Sequence, residues 1–367
     1  MTTFSLSRRA LLQASLLGSA ATLLPSISFA ATMEDWALPV DIEAARLEAE
    51  VYTSYGMPAT WANYGEVMER MAATYNFTYT HHDTDMSSME EILKFDAERN
   101  NPVGISGDIG ILFGPVAEAR GVVPNYLPPN ADKLPASLKS ATGGWVATFT
   151  GVPAIIVNTD VVKNVPRSWE DLLKPEYTGL ISAVDASGMG GTQMATFIAW
   201  AYAFGGSATD LAPGAEFARK LVPQMAGGSS TSLTMERGEV PIQIKYDFNC
   251  IAQAAALKEK GINCEVIIPQ GTIYAPSAIQ VNRYNLEKMN IAKLMLDFVL
   301  SDEAQIAFAK FGARPIRWVL GDLELPAEAR TSWLPDELYK DVIQVEDWSA
   351  IDVSALAQYW VDNVVNG

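Results

Sequence analysis

The sequence predicts an α/β protein of two lobes, and three observations predict it. Short apolar runs alternate with amphipathic helical patterns along most of the chain, as when strands alternate with helices. Strand-to-helix turns at 54–58, 83–87, 113–115, 187–193 and 245–249 supply the Gly, Ser, Asp and aromatic residues that ligand-facing turns use. Two stretches, 144–158 and 269–282, are too long for ordinary strands. The first is bent at Gly151 and Pro153 and the second at Gly271 and Pro276. Two such crossings mean that the chain leaves a first lobe, builds a second and returns, whereas consecutive domains need one linker.

The N-terminus reads as a processing segment. Ser7-Arg8-Arg9-Ala10-Leu11-Leu12 is a twin-arginine pattern, a weakly apolar run follows to about Leu24, and Ser28-Phe29-Ala30 is a small-x-small cleavage site. Gln13, Ser15, Gly18 and Ser19 make the run too short and polar to span a membrane. A mature chain from about Ala31 is expected, soluble in the periplasm and exported by the twin-arginine route. Without the first thirty residues the net charge moves from −17 to −19, because they hold two arginines and no acid. That balance argues against a nucleic-acid partner, whose phosphates need clustered Lys and Arg.

In chain order, Glu50 to Thr53 reads as a strand, with Ser54 to Pro58 as its loop. A helix from about Ala59 puts Trp61, Tyr64, Val67, Met68 and Met71 on one face. Phe77 to Thr80 alternates as a strand, and Thr84, Asp85 or Ser87 caps a helix carrying Met89, Ile92, Leu93 and Phe95. Ile109 to Leu112 is a short buried strand that Phe113-Gly114-Pro115 turns into another helix. Beyond the first crossing, Gly179 to Val184 reads as a strand leading through a Gly-rich turn into an apolar helix, Met194 to Phe204. Ser187 and Thr192 bring hydroxyls to that helix start, and Gly188, Gly190 and Gly191 leave its backbone open. A helix N-terminus has unpaired N–H groups and a partial positive charge, so the turn suits an anionic ligand; the same residues also make an ordinary capped turn. It is no P-loop, lacking the Gly-Lys-Ser/Thr ending.

Val240 to Ile244 reads as a strand, Lys245 to Asn249 as a turn, and Asn249 to Lys260 as a helix with Gly261 just past its end. Cys250 and Cys264 then lie a helix length of about 15 Å apart, whereas a disulfide needs Cα atoms within about 7 Å. Free thiols are expected. The last fifty residues, rich in Trp and Pro, read as short helices packed on the outside.

Three stretches carry a family resemblance. They are Ile155-Ile156-Val157-Asn158-Thr159-Asp160 with Pro166 to Leu172, then Glu170 to Leu180, then Ala292-Lys293-Leu294 with Phe298 to Gln305. Together they resemble the extracellular solute-binding proteins of ABC importers (family 1, type II), in the group of ferric-iron, polyamine, thiamine, phosphonate and maltose binders. The likeness spans most of residues 45–315. It implies the two-lobed periplasmic-binding-protein fold, type II, with two crossover hinge strands closing on a ligand in the cleft. The expected division is 1–30 signal peptide, 31–150 with 272–318 lobe 1, 151–271 lobe 2, and 319–367 a C-terminal helical segment packed on the lobes. Also implied are a small-molecule ligand, permease subunits at the inner membrane as partners, a monomer, and neither cofactor nor enzymatic activity.

The ligand is open among three classes. Ferric binders of this family use two adjacent tyrosines after the strand matching Pro241 to Ile244. Here only Tyr246-Asp247 follows it, and Phe113 stands where an acidic ligand is expected. His81 and His82 are adjacent on a strand and point to opposite faces, which disfavours a shared metal. A polyamine needs carboxylates and aromatic walls, which Asp85, Asp108 and Asp247 with Tyr55, Trp145, Tyr246 and Tyr274 can supply. An amine-bearing phosphonate or phosphate zwitterion uses both sets of groups and is the favoured reading. Its anion would sit on Ser187, Gly190 and Thr192 and on the Ser54–Tyr55 turn, and its amine would meet Asp247 or Asp85. Arg314 or Arg317 would add a phosphate contact or an interlobe ion pair. A periplasmic hydrolase is the competing class, but no G-x-S-x-G, H-E-x-x-H or Walker pattern is present.

Overall fold

The computed structural model describes residues 31–227 and 230–367. The twin-arginine segment lies outside the described residues. Ten strands are described: β1 Val51–Tyr55, β2 Thr80–Thr84, β3 Ser106–Gly110, β4 Trp145–Gly151, β5 Pro153–Asn158, β6 Ile242–Tyr246, β7 Cys264–Ile267, β8 Ile273–Val281, β9 Arg314–Pro315 and β10 Ile343–Gln344. They form two sheets. The first has the order β2-β1-β3-β8-β4-β9, with β10 also on β8; the second has the order β6-β5-β7. β1, β2 and β3 are parallel to one another, while β8 runs antiparallel between β3 and β4. The strand that returns late in the sequence is thus inserted into the middle of a sheet begun early.

The first crossing is continuous, with Val152 alone separating the end of β4 from the start of β5. Asp247 holds that residue from both sides, donating its N–H to Val152 O at 2.8 Å and accepting the Val152 N–H on Oδ1 at 2.9 Å. The second crossing joins β7 to β8, and the Thr272 hydroxyl ties it to the first by donating to Pro153 O at 2.7 Å. Pro276 stays within β8, one residue beyond the end of the β3 pairing at Gly110–Ser277, so its missing N–H takes no bond from that ladder.

Several elements shift from the sequence-based expectation for identifiable reasons. The first strand extends through Ser54 and Tyr55, so its loop begins at Gly56. The expected helix from Ala59 starts at Tyr64, because Ala62 and Asn63 adopt left-handed conformations (φ 46° and 72°). Trp61 is thereby released from the helix face into a turn. Gly179 to Val184 is not a strand; Ile181 alone bridges to Ile242 and Met225. The helix after β6 starts at Asp247, two residues early, and Gly261 (φ 81°) follows its end as expected. Cys250 and Cys264 are free thiols.

The helix Gly191–Ala203 buries every residue from Met194 to Ala201. A helix apolar on all sides must be covered on all sides, and here the C-terminal segment contributes. Trp360, from the helix Val353–Trp360, packs edge-on to Phe197 at 5.0 Å, and Trp200 lies 6.4 Å away. The segment expected only to pack on the outside therefore reaches the core, pairing β10 with β8 on the way.

Candidate ligand-binding cleft

The ends of the strands of both sheets converge on one cavity of about 400 Å³. The first-sheet wall is Gly56, Pro58 and Trp61 after β1, Asp85 to Ser88 and Glu90 after β2, Asp108 and Gly110 on β3, and Ser277 on β8. The opposite wall is Gly190 to Gln193 at the start of the helix Gly191–Ala203, with Tyr246 at the end of β6. Side chains gather here because strand ends in open α/β sheets place turns and helix N-termini side by side.

The lining holds three carboxylates (Asp85, Glu90 and Asp108) and no Lys, Arg or His. Glu90 closes a capping box, accepting both the N–H and the hydroxyl of Ser87 at 2.8 Å. Those bonds, the backbone one first, hold its carboxyl below the usual range and keep it charged. Asp108 behaves oppositely. Burial pushes it up to about 8, against the lowering effect of bonds that Trp61 Nε1 donates at 3.1 Å and the Tyr64 hydroxyl at 3.2 Å to its Oδ2. Burial therefore favours the protonated form of Asp108 at neutral pH.

Beneath it lies Glu91, fully buried, with Oε1 unpartnered and Gln280 Nε2 donating to Oε2 at 3.4 Å. A Cβ at Gly56 or Gly107 would collide with this carboxyl. Desolvation, followed by the field of Asp108, raises it well above the ordinary range, so Glu91 is a neutral acid. A raised acid pKa favours the fold while the group is protonated, and that advantage is lost as pH climbs towards the folded-state value. Glu91→Gln is therefore expected to be more stable than the parent by about 1–3 kcal/mol at pH 8, with a smaller gain at pH 5. Urea unfolding at the two pH values checks it.

On the opposite wall the helix Gly191–Ala203 has Gly190 as N-cap and no side-chain cap. Its first internal bond runs from Met194 N–H to Gly190 O at 3.0 Å, leaving the N–H groups of Gly191, Thr192 and Gln193 at the cavity wall. Tyr246 lines the cavity with Thr192 and stacks on Phe248 at 5.6 Å, and Trp61 meets Phe248 edge-on at 5.4 Å.

Of the residues singled out from sequence, Asp85, Asp108, Gly190, Gly191, Thr192 and Tyr246 meet in this cavity. The others lie elsewhere. Ser54 is buried on β1, its Oγ 2.7 Å from both His81 Nε2 and Asp83 Oδ1. Tyr55 points away, its ring against Phe95 and its hydroxyl donating to Glu98 at 2.7 Å. Both differ from expectation because β1 runs two residues further. Phe113 is core beneath Gly110. Ser187 spends its hydroxyl on Asp185 at 2.6 Å within its own turn. Tyr274 sits on β8 where β10 pairs, outside the cavity lining. Asp247, proposed as an amine partner, is committed to Arg314 Nη1 and the Tyr339 hydroxyl at 2.6 and 2.8 Å, besides Val152. Arg314 thus makes an ion pair across the crossing rather than a ligand contact. Among the described residues, no group of three or more His, Cys, Asp or Glu side chains is placed to hold a metal.

Sequence reasoning passed over Ser88, Gly110 and Ser277, placed Trp61 only on a helix face, and offered Asp108 only as a carboxylate for a polyamine. Trp61 was hidden by the helical spacing it shares with Tyr64 and Met68. For Asp108 a signal existed: a lone carboxylate directly before the apolar run Ile109 to Leu112.

The family model for bacterial extracellular solute-binding proteins matches residues 108–341. The chain belongs to this family, the substrate-binding components of ABC importers. Among its curated relatives is an uncharacterized protein of Haemophilus influenzae, 25% identical over 300 residues, covering 74% of this chain and 79% of the relative. Among solved structures, the periplasmic binding protein AfuA of Actinobacillus pleuropneumoniae, described with exogenous fructose-6-phosphate bound, aligns with TM-score 0.67 and 20% identity. The match covers 87% of this chain and 99% of AfuA. The ferric binding protein of Campylobacter jejuni aligns with TM-score 0.59 and 19% identity, over 86% and 96%. The Atu4243-GABA receptor aligns with TM-score 0.59 and 17% identity, over 87% and 96%. The solute-binding protein thus has the type II periplasmic-binding fold.

Proposed function

We propose that this solute-binding protein captures a small zwitterion, with an amine at one end and a phosphonate or phosphate at the other, and presents it to the permease of an ABC importer. One observation carries the reading: a single cavity sets three carboxylates on one wall against an uncapped helix N-terminus on the other. The N–H groups of Gly191, Thr192 and Gln193 would hold the anion, each contributing a charge-assisted bond. Asp85 and Asp108 would hold the amine beside the face of Trp61. Relatives described with fructose-6-phosphate and as a GABA receptor support a phosphate and an amine as groups this fold accommodates. In this reading residues 31–150 with 272–318 form one lobe and 151–271 the other. They close about Val152 and Thr272 in a monomeric, cofactor-free, non-enzymatic protein sent to the periplasm by the twin-arginine route.

A second reading, a polyamine, is favoured by the absence of any basic side chain in the lining. Titration calorimetry with 2-aminoethylphosphonate and with putrescine separates the two. The zwitterion is expected to bind at least about tenfold more tightly, and Asp85→Asn to weaken it by a similar factor. Tight putrescine binding with no heat from the phosphonate would end the zwitterion reading and leave the polyamine.

A further inference from the structure

Gly110 closes β3 on the first wall, and Gly191 opens the helix of the second. They meet backbone to backbone across the cleft. A Cβ added at Gly110 would lie 3.2 Å from Gly191 Cα, and one added at Gly191 would lie 3.3 Å from Gly110 Cα and 3.4 Å from its nitrogen. Backbone conformation does not require glycine at either place. Gly110 is extended (φ −61°, ψ 144°), and Gly191 is the first residue of a right-handed helix, where alanine is the better former. Neighbouring glycines of the same turn behave differently: a Cβ at Gly188 meets nothing within 4 Å, and one at Gly190 meets only Gln193 Cγ at 3.5 Å. What Gly110 and Gly191 share is the close approach.

We infer that Gly110 and Gly191 are the closure stop of this cleft and thereby its size limit. With no side chain between them the two walls come together until main chain meets main chain, which fixes the cavity at about 400 Å³. A Cβ alone at Gly191 asks its neighbours to give by only a few tenths of an ångström, whereas a side chain longer than a methyl at Gly110 acts as a wedge. The walls then stop further apart, the helix N–H groups and the carboxylates no longer reach one small ligand together, and the closed form loses population. The stop selects for short ligands, because a longer one holds the glycines apart just as a wedge does. Ser88 flanks the contact, its hydroxyl accepting the Gly110 N–H at 3.1 Å and lying 3.4 Å from a Cβ at 191.

That neighbour supplies a reporter of closure. In the double variant Ser88→Cys/Gly191→Cys the two thiols are adjacent only when the walls meet, within the range a disulfide demands, and peptide mapping identifies the 88–191 link. The reporter is expected to cross-link under mild oxidation. Adding Gly110→Val is expected to slow the cross-linking about tenfold or more, Gly110→Ala to slow it less, and Gly188→Ala to leave it unchanged. All should show similar melting temperatures, because position 110 tolerates any residue's backbone angles. A reporter that does not cross-link, or Gly110→Val cross-linking at the parental rate, overturns the inference. The inference rests on the cavity being the ligand cleft, but trapping needs no ligand, so its outcome is separate from whether 2-aminoethylphosphonate binds.

Discussion

Arg314→Met is expected to lower the unfolding free energy by about 3–5 kcal/mol, measured by urea unfolding at pH 7. The Arg314–Asp247 pair is 2% and 0% exposed, at 2.6 Å. Removing the guanidinium leaves a carboxylate in the core with two uncharged donors, Val152 N–H and the Tyr339 hydroxyl. It also removes the stack of the guanidinium on Tyr339, 3.4 Å from the ring centre. The penalty comes mainly from the stranded charge, so Arg314→Met/Asp247→Asn together are expected to recover more than half of it. Exposed pairs provide the contrast. Breaking Lys220–Glu216, with side chains 59% and 63% exposed, is expected to leave the unfolding free energy close to that of the parent. Equal losses in the two places would mean that the buried pair contributes no more than a surface one.

Affinity for an amine-bearing ligand is expected to rise as pH goes from 6 to 8, by up to about tenfold per unit. Burial holds Asp108 near 8, and an ammonium group beside it favours the ionised carboxylate. Below that value binding must expel the Asp108 proton, and the expulsion grows costlier with each unit of acidity. Calorimetry at pH 6.5 in buffers of different ionisation heat should show about one proton released. Asp108→Asn should abolish both the release and the slope. The opposite slope has a definite meaning: the protonated carboxyl would be donating to an anionic ligand atom, and the amine would sit nearer Asp85 and Glu90.

The fold was largely legible because its signals are periodic and local. The first strand was placed to within two residues, whereas the apolar runs 77–80 and 109–112 only flank β2 and β3, sharing one and two residues with them; the bends at Gly151–Pro153 and Gly271 marked the crossings. What failed was where each strand stops. Two further residues of β1 turned Ser54 and Tyr55 from loop residues into sheet residues, one inside and one on the far face. Burial is a tertiary property, and no local pattern said that Asp247 would be claimed by Arg314, sixty-seven positions later. Trp61 shows the reverse error, since a helical spacing concealed a turn made by two left-handed residues. Thr192 and Tyr246 line the cavity as expected because each sits at a strand end or helix start, where position along the chain and position on the cavity wall coincide.

The late insertion of β8 into the first sheet governs how this chain is made. β1 to β4 emerge from the ribosome before residue 152, yet β3 and β4 touch only through a strand that begins at Ile273. β10 adds to that strand only once Ile343 has been synthesised. For most of translation the early strands thus have open edges, at risk of pairing with other chains. The first sheet is completed only once β8 exists, and joining residues 106–110 to residues 277–281 is a non-local pairing of the kind that slows folding. A chain shortened before β10 would lose the strand that seals the second crossing, and aggregation during synthesis would be its first symptom.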